Sequence, residues 1–435
     1  MEAPPPAPSE GRPAAADLSP LQARVDAAPA GATIEVGAGE YVGDLHLDRP
    51  LRLVGRGRPR LVGSGHGSVV RIRAPGVTLE GFDIDGRCGG DLARDSAGVH
   101  VAAPRATIRD CRIESTLFGV YLLDADEVTV EGCRIRGIPG RDPGEKGSGI
   151  HAWSSDRFRF LDNEIADVRD GFYIQSSSHG LIRGNVARDL RYGLHYMFSD
   201  DNTFEGNTFA NGAAGTALMY SRRIVFRGNR FVHNRGFASV GLLFKTCEDV
   251  LAEDNLIADN ARGVFLEGSS RTLLRRNVIA RSDAAIVLYD SCDNVVVEGN
   301  SFLDNLSPLT LVGRRTDTRF EGNWWSGNEE PDLDGDGFSD RPYRLENAFD
   351  HVRGNVLAAD LLLHSPAASA LAAAERVFPV LEPASVADPR PLARPPRLGQ
   401  VPGPWRAGDG WNAGGLALAL ALGALGAAIL ARGRR

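Results

Sequence analysis

Residues 192–221 read YGLHYMFSDDNTFEGNTFANGAAGTALMYS and hold both methionines other than the initiator, Met197 and Met219. Each follows a glycine by four residues, and the two are 22 residues apart. Between them "FEGNTF" places Asn207 in the pattern apolar-x-x-N-x-apolar. Outward from this stretch the pattern recurs at Asn163, Asn185, Asn229, Asn255, Asn277, Asn300 and Asn323, at intervals of 22 to 26 residues. Upstream the same slot holds Cys133, Cys111 and Phe82, which makes eleven rungs.

A second column, in another phase, begins with glycine: GVHVA at Gly98, GVYLL at Gly119, GIHAW at Gly149, GFYIQ at Gly171, GLHYM at Gly193, GTALM at Gly215 and GVFLE at Gly263. Each unit thus carries at least two short strands of period 2, separated by Gly/Asn/Asp turns. Such strands are too short to bury a face alone, so they must stack on their neighbours, with the turn asparagines piled into a hydrogen-bonded ladder. The expected fold is all-β: a single-stranded, right-handed parallel β-helix rising ~4.8 Å per rung, with short helical caps and a C-terminal transmembrane helix.

The expected organisation is a low-complexity N-terminus and capping helix (1–30), the β-helix (31–326), a capping region with an Asp-rich loop (327–395), a Pro-rich linker (396–412) and a membrane anchor or sorting tail (413–431). Residues 18–36 suggest a short amphipathic helix followed by the first strand, and residues 356–381 are helical in composition. The insert GRDPGEKG, 140–147, lengthens one rung into a protruding loop. The apolar run from Gly414 to Leu430 ends in Arg432, Arg434 and Arg435, so the positive-inside rule puts the preceding chain outside the cytoplasmic membrane. That location calls for a signal peptide, yet the first residues show neither a basic nor an apolar leader region, so a wrong start or an omitted leader is expected.

A net charge of −7 argues against a nucleic-acid surface, which needs a basic stripe. Five cysteines without a CxxC pair indicate neither a zinc site nor a dense disulfide framework. Cys111 and Cys133 stack one rung apart, close enough for a disulfide, or else they are two small buried residues replacing ladder asparagines. Cys247 and Cys292, about two rungs apart, cannot pair.

In the glycine column the first and third following residues are apolar almost throughout and belong inside, so the second and fourth point outward. Met197 and Met219 then occupy one outward slot on adjacent rungs, with His195 on the same strand and His151 two rungs away. Two thioethers and an imidazole form a soft ligand set suited to Cu(I). The same file contains Trp153, Tyr173 and Gln175, and outward Met, Tyr and Trp equally suit a protein interface. In DLDGDGFSD, Asp332, Asp334, Asp336 and Asp340 match the first nine positions of a calcium loop. Position twelve is Tyr343 rather than a bidentate Glu, so any Ca²⁺ would have few ligands and a structural role. The competing reading is a simple Asp/Gly turn.

Parallel β-helices also act on polysaccharides, which makes an extracytoplasmic lyase, hydrolase or epimerase the alternative. That chemistry needs carboxylate pairs in a groove, and outward Asp/Glu pairs are scarce on the glycine-column face.

The segments GLHYMFSDDNTFEGNTFANGAAGTALMYSRRI, FVHNRGFASVGLLFK, GNWWSGNEEPDLDGDGFSDRPYR and SPAASALAAAERVFPVLEP resemble the NosD family, over about residues 30–393. The resemblance implies a periplasmic β-helix that works with an ABC transporter permease and ATPase, a copper-chaperone lipoprotein and apo nitrous oxide reductase. It implies no catalysis but the receipt of copper and its presentation to the reductase, with His195, Met197 and Met219 as ligands; the rung spacing alone offers His151 as a second contact or a transfer route.

Overall fold

A computed structural model of the chain describes residues 16–90, 92–236, 239–314, 316–345, 365–366, 370 and 386–396. Three parallel sheets of 14, 12 and 13 strands run side by side along the chain, and each strand between the two ends of its sheet pairs with its counterparts one turn earlier and one turn later. One turn is typified by the strands Leu181–Arg183, Val186–Arg188 and Tyr192–Met197. The next repeats them at Thr203–Glu205, Thr208–Ala210 and Ala214–Met219. This is a right-handed parallel β-helix with three strands per turn, one more than the two that the glycine and asparagine columns mark at minimum. It also has two rungs more than the eleven counted from the motif. In those first rungs Gly39 and Pro59 hold the asparagine slot, as the bonds from Arg60 N–H to Gly39 O and from Asp83 N–H to Pro59 O show, so no asparagine signature marks them.

Strand alternation fills the lumen. Phe172, Ile174, Leu194, Tyr196 and Leu218 have no solvent exposure. Phenylalanines stack from rung to rung, Phe204 on Phe226 at 4.6 Å and Phe209 on Phe231 at 5.4 Å between ring centroids. The glycine column exists because there is no room for a side chain. A Cβ on Gly193 would lie 2.6 Å from the carbonyl oxygen of Gly215, and one on Gly215 would lie 2.4 Å from that of Gly241.

The asparagine ladder is continuous. Each Asn side-chain oxygen from Asn185 to Asn323 accepts both the backbone N–H and the amide N–H of the asparagine one rung earlier, as Asn207 does from Asn185 at 3.0 and 2.9 Å. Buried polar groups that satisfy one another in this way specify register without leaving an unpaired donor. Cys111 and Cys133 continue the column as free, buried thiols. Cys133 Sγ faces Ile108 O at 3.7 Å, the counterpart of the Asn163 amide bond to Val130 O.

Both ends are closed. A helix at Ser19–Ala27 buries Leu21 and Val25. From its polar side Gln22 donates to His46 O and accepts from His46 N–H, pairing the edge strand Leu45–Leu47 that would otherwise present bare backbone groups. At the far end a two-residue strand, Ala387–Asp388, pairs antiparallel with Tyr343–Arg344 and lies over the last rung. The apolar run from Gly414 and most of the segment 356–381 lie outside the described residues, among which no helix is long and apolar enough to cross a membrane.

Candidate metal site on the outer face

The 12-stranded sheet carries the glycine column, and its outward residues form two vertical files. In one, Tyr121, His151, Tyr173, His195 and Ala217 are successive register partners. In the other the order is Leu123, Trp153, Gln175, Met197, Met219 and Lys245. Met197 and Met219 are therefore direct neighbours on adjacent strands, both half-buried. His195 and Ala217 complete a two-by-two grid, three donors with a buried methyl group at the fourth corner. A second ladder pins the strand ends: the Ser199 hydroxyl donates to Met197 O and the Ser221 hydroxyl to Met219 O, each at 2.9 Å, while Ser199 N–H donates to Ser221 Oγ.

His195 is held from three sides. Its Nδ1 lies 3.4 Å from Asp170 Oδ2, and the rings of Tyr173 and Tyr192 meet the imidazole edge-on at 4.9 and 5.4 Å. Asp170 has no exposed surface, and Arg191 grips it with both Nε and Nη2, at 2.9 and 2.6 Å. Burial alone would raise the Asp170 pKa, but the bonds from His195 and Arg191 hold it below the ordinary carboxylate range. Neither Asp170 nor Arg191 stood out in the sequence. The one available signal was a charged residue directly before Gly171, where the equivalent positions hold Ser148, Tyr192 and Ala214.

His151 lies in the same file as His195, two strands away, but it is covered. Its ring is sandwiched between Tyr121 and Tyr173, both at 4.4 Å, with the edge of Phe118 at 5.3 Å, and only 6% of its surface remains exposed. Neither ring nitrogen has a hydrogen-bond partner, and burial pushes its pKa down to about 3. The geometry therefore separates the two histidines, one held by a carboxylate at the edge of the methionine pair, the other packed as an aromatic ring.

Trp153 is 41% exposed beside Gln175, and Tyr173 and Gln175 are tied together by a 2.6 Å bond from the phenol to the amide oxygen. Next to the methionines stand two exposed aromatics that sequence reasoning passed over, Phe198 and Tyr220. They stack at 5.1 Å and adopt left-handed backbone angles, φ 51° and 54°. Bulky residues are uncommon in that conformation.

In the Asp-rich loop, the carboxylates of Asp332, Asp334 and Asp336 gather within 4.8 Å of one another. Asp340 instead accepts from Leu333 N–H at 2.7 Å, and Tyr343 stacks on Trp325 at 5.1 Å. Three acids thus converge on one point, while the fourth closes the loop.

A β-helix displaying a soft-donor file on one outer sheet is the class of protein that fold and site together define. Residues 138–349 match the family described as "Periplasmic copper-binding protein (NosD)". A Stutzerimonas stutzeri protein named "Probable ABC transporter binding protein NosD" is 31% identical over 379 residues, 82% of this chain and 86% of that protein. Its Pseudomonas aeruginosa namesake is 34% identical over 377 residues, 82% and 87% of the two chains. The chain belongs to the NosD family. Among solved structures, the A-module of the Azotobacter vinelandii mannuronan C-5 epimerase AlgE6 is similar with a TM-score of 0.51 and 17% identity, covering 72% of this chain and 90% of that one. The alginate lyase AlyF-OU02 gives 0.53 and 13%, covering 73% and 86%. The N-terminal fragment of bacteriophage Phi29 gene product 12 gives 0.57 and 12%, covering 67% and 61%. At these identities the likeness concerns the fold alone.

Proposed function

We propose that this chain is a non-catalytic copper carrier of the periplasm, or of the outer side of the cytoplasmic membrane. It accepts Cu(I) at His195, Met197 and Met219 and presents it to apo nitrous oxide reductase. The observation that carries this reading is the grid of two register-paired thioethers and one oriented imidazole on an outward face. Thioethers and imidazole suit Cu(I) and bind it without a thiolate, which favours release to the next protein. The names of the relatives support a place beside an ABC transporter, whose permease and ATPase are the partners in this reading. A copper-chaperone lipoprotein is the donor in this reading. Trp153, Phe198 and Tyr220 flank the grid and supply the kind of aromatic contact that protein interfaces use. His151 stands outside the ligand set because its ring is covered.

The carbohydrate-active alternative lacks an acid pair in the right place. Among the described residues of the two outward files, Glu267 is the one carboxylate, and it pairs with Lys245 at 2.9 Å. A Ca²⁺ at Asp332, Asp334 and Asp336 would brace the C-terminal end of the helix rather than take part in transfer.

Anaerobic Cu(I) titration against a competing chelator tests the carrier reading. Wild type should bind copper, and the Met197→Leu/Met219→Leu double variant should bind none while keeping its circular dichroism spectrum and melting temperature. Equal binding by both proteins would remove the site.

A further inference from the structure

We infer that Asp170 is a positioning residue that presets His195 as a metal ligand through Nε2; the inference rests on the copper-carrier reading. The two histidines of the file supply the contrast. The nitrogens of His151 have no partner at all, whereas Nδ1 of His195 faces a carboxylate that is itself fully buried. An imidazole that can donate from either nitrogen interconverts between tautomers, and a metal ligand must leave its coordinating nitrogen unprotonated. A carboxylate can only accept, so the Asp170 contact selects the Nδ1–H tautomer and leaves the lone pair on Nε2, which makes no hydrogen bond with the described residues.

The carboxylate in turn cannot turn away. Arg191 holds both of its oxygens, and Arg169 Nε lies 3.4 Å from Oδ2. Arg191 is itself steadied over the Tyr192 ring, 4.5 Å from its centroid, and the same ring packs on His195. Asp170, Arg191, Tyr192 and His195 thus close a cycle across two adjacent strands. The equivalent positions on the following and flanking rungs, Tyr192, Ser148 and Ala214, carry no carboxylate, so the device is confined to the two adjacent rungs that end in Gln175 and Met197.

Nitrogen-15 NMR of the copper-free protein at neutral pH reads the tautomer directly, with His195→Gln identifying the signal. Wild type should show His195 as the Nδ1–H form. In Asp170→Asn the carboxamide can donate to Nδ1, so the ring should shift toward the Nε2–H form. Cu(I) affinity should fall about 10- to 100-fold, the usual effect of losing an outer-shell partner. X-ray absorption should then lose its nitrogen scatterer and keep both sulfurs. A wild-type His195 in the Nε2–H form would overturn the inference, as would Asp170→Asn protein with wild-type affinity and an intact nitrogen signal. The wild-type measurement needs no variant, so it decides the matter even if Asp170→Asn fails to fold. The two readings fail separately: Met197→Leu/Met219→Leu should abolish binding with the His195 tautomer unchanged, and wild-type protein that binds no Cu(I) would sink the carrier reading whatever the tautomer.

Discussion

Asp388 stands where the next asparagine of the ladder would be: its Oδ2 accepts the backbone N–H and the amide N–H of Asn323, both at 2.9 Å. The same carboxylate also accepts from Gly322 N–H, Trp325 Nε1–H and Arg390 N–H. Removing it strands several buried donors at once, each costing about 1–3 kcal/mol when left unpaired. Asp388→Ala should therefore destabilise the protein by at least about 3 kcal/mol. Hydrogen exchange should show protection lost first at Gly322 and Asn323, and uniform loss along the helix would argue against a local cap.

The glycine column predicts a sharp difference between two alanine substitutions. At Gly193 a new Cβ meets the Gly215 carbonyl at 2.6 Å and Phe209 Cδ1 at 2.6 Å, so backbone must shift. At Gly206 nothing lies within 4 Å, and only the positive φ of 60° opposes the change. Urea unfolding should place Gly206→Ala about 1 kcal/mol below wild type and Gly193→Ala about 3 kcal/mol or more below it. Equal costs would mean that crowding is not why the column is glycine.

The parts of this molecule that could be read from the sequence are those governed by short periods. Strand alternation placed Leu194 and Tyr196 inside and His195 and Met197 outside, because side-chain direction on a strand depends on parity alone. The Asn207 slot was legible because its partners recur at a fixed interval. What parity cannot supply is how deeply an outward residue is covered. His151 obeys the alternation and is still buried, because Phe118 packs its edge across the ring. Asp170 resembled an ordinary turn acid, since its partner Arg191 comes 21 residues later and its depth depends on the corner geometry. Asp388 lies 65 residues from Asn323 in sequence and carries no repeat signature.

The Asp-rich loop should bind Ca²⁺ weakly. Asp332 already accepts from Gly335 and Gly337 N–H, and Arg390 Nη2 lies 3.3 Å from Asp336. With three acids gathered and no bidentate Glu, affinity should fall in the weak range of such loops, Kd about 10⁻⁴–10⁻³ M. At 10 mM Ca²⁺ and a Kd of about 1 mM, linkage raises stability by about 1.4 kcal/mol. Calorimetry should show that gain in wild type and none in Asp334→Asn; identical shifts in both would place the ion elsewhere.

Acid sensitivity should trace in part to His151. Its folded pKa is depressed to about 3 against an ordinary 6.5, chiefly by burial, with Arg169 and His195 adding to the depression and Asp170 opposing it. Above pH 6.5 the ring is neutral in both folded and unfolded chains, so the shift costs nothing. Between pH 6.5 and 3 the unfolded chain takes up a proton that the folded chain refuses, so stability falls as pH falls and levels off below pH 3. From pH 7 to 5 this single group should remove up to about 2 kcal/mol. His151→Phe keeps a ring between Tyr121 and Tyr173 and has nothing to protonate. Urea unfolding of the variant should show a shallower pH dependence than wild type over that interval; parallel curves would mean that the buried imidazole gains its proton without cost to the fold.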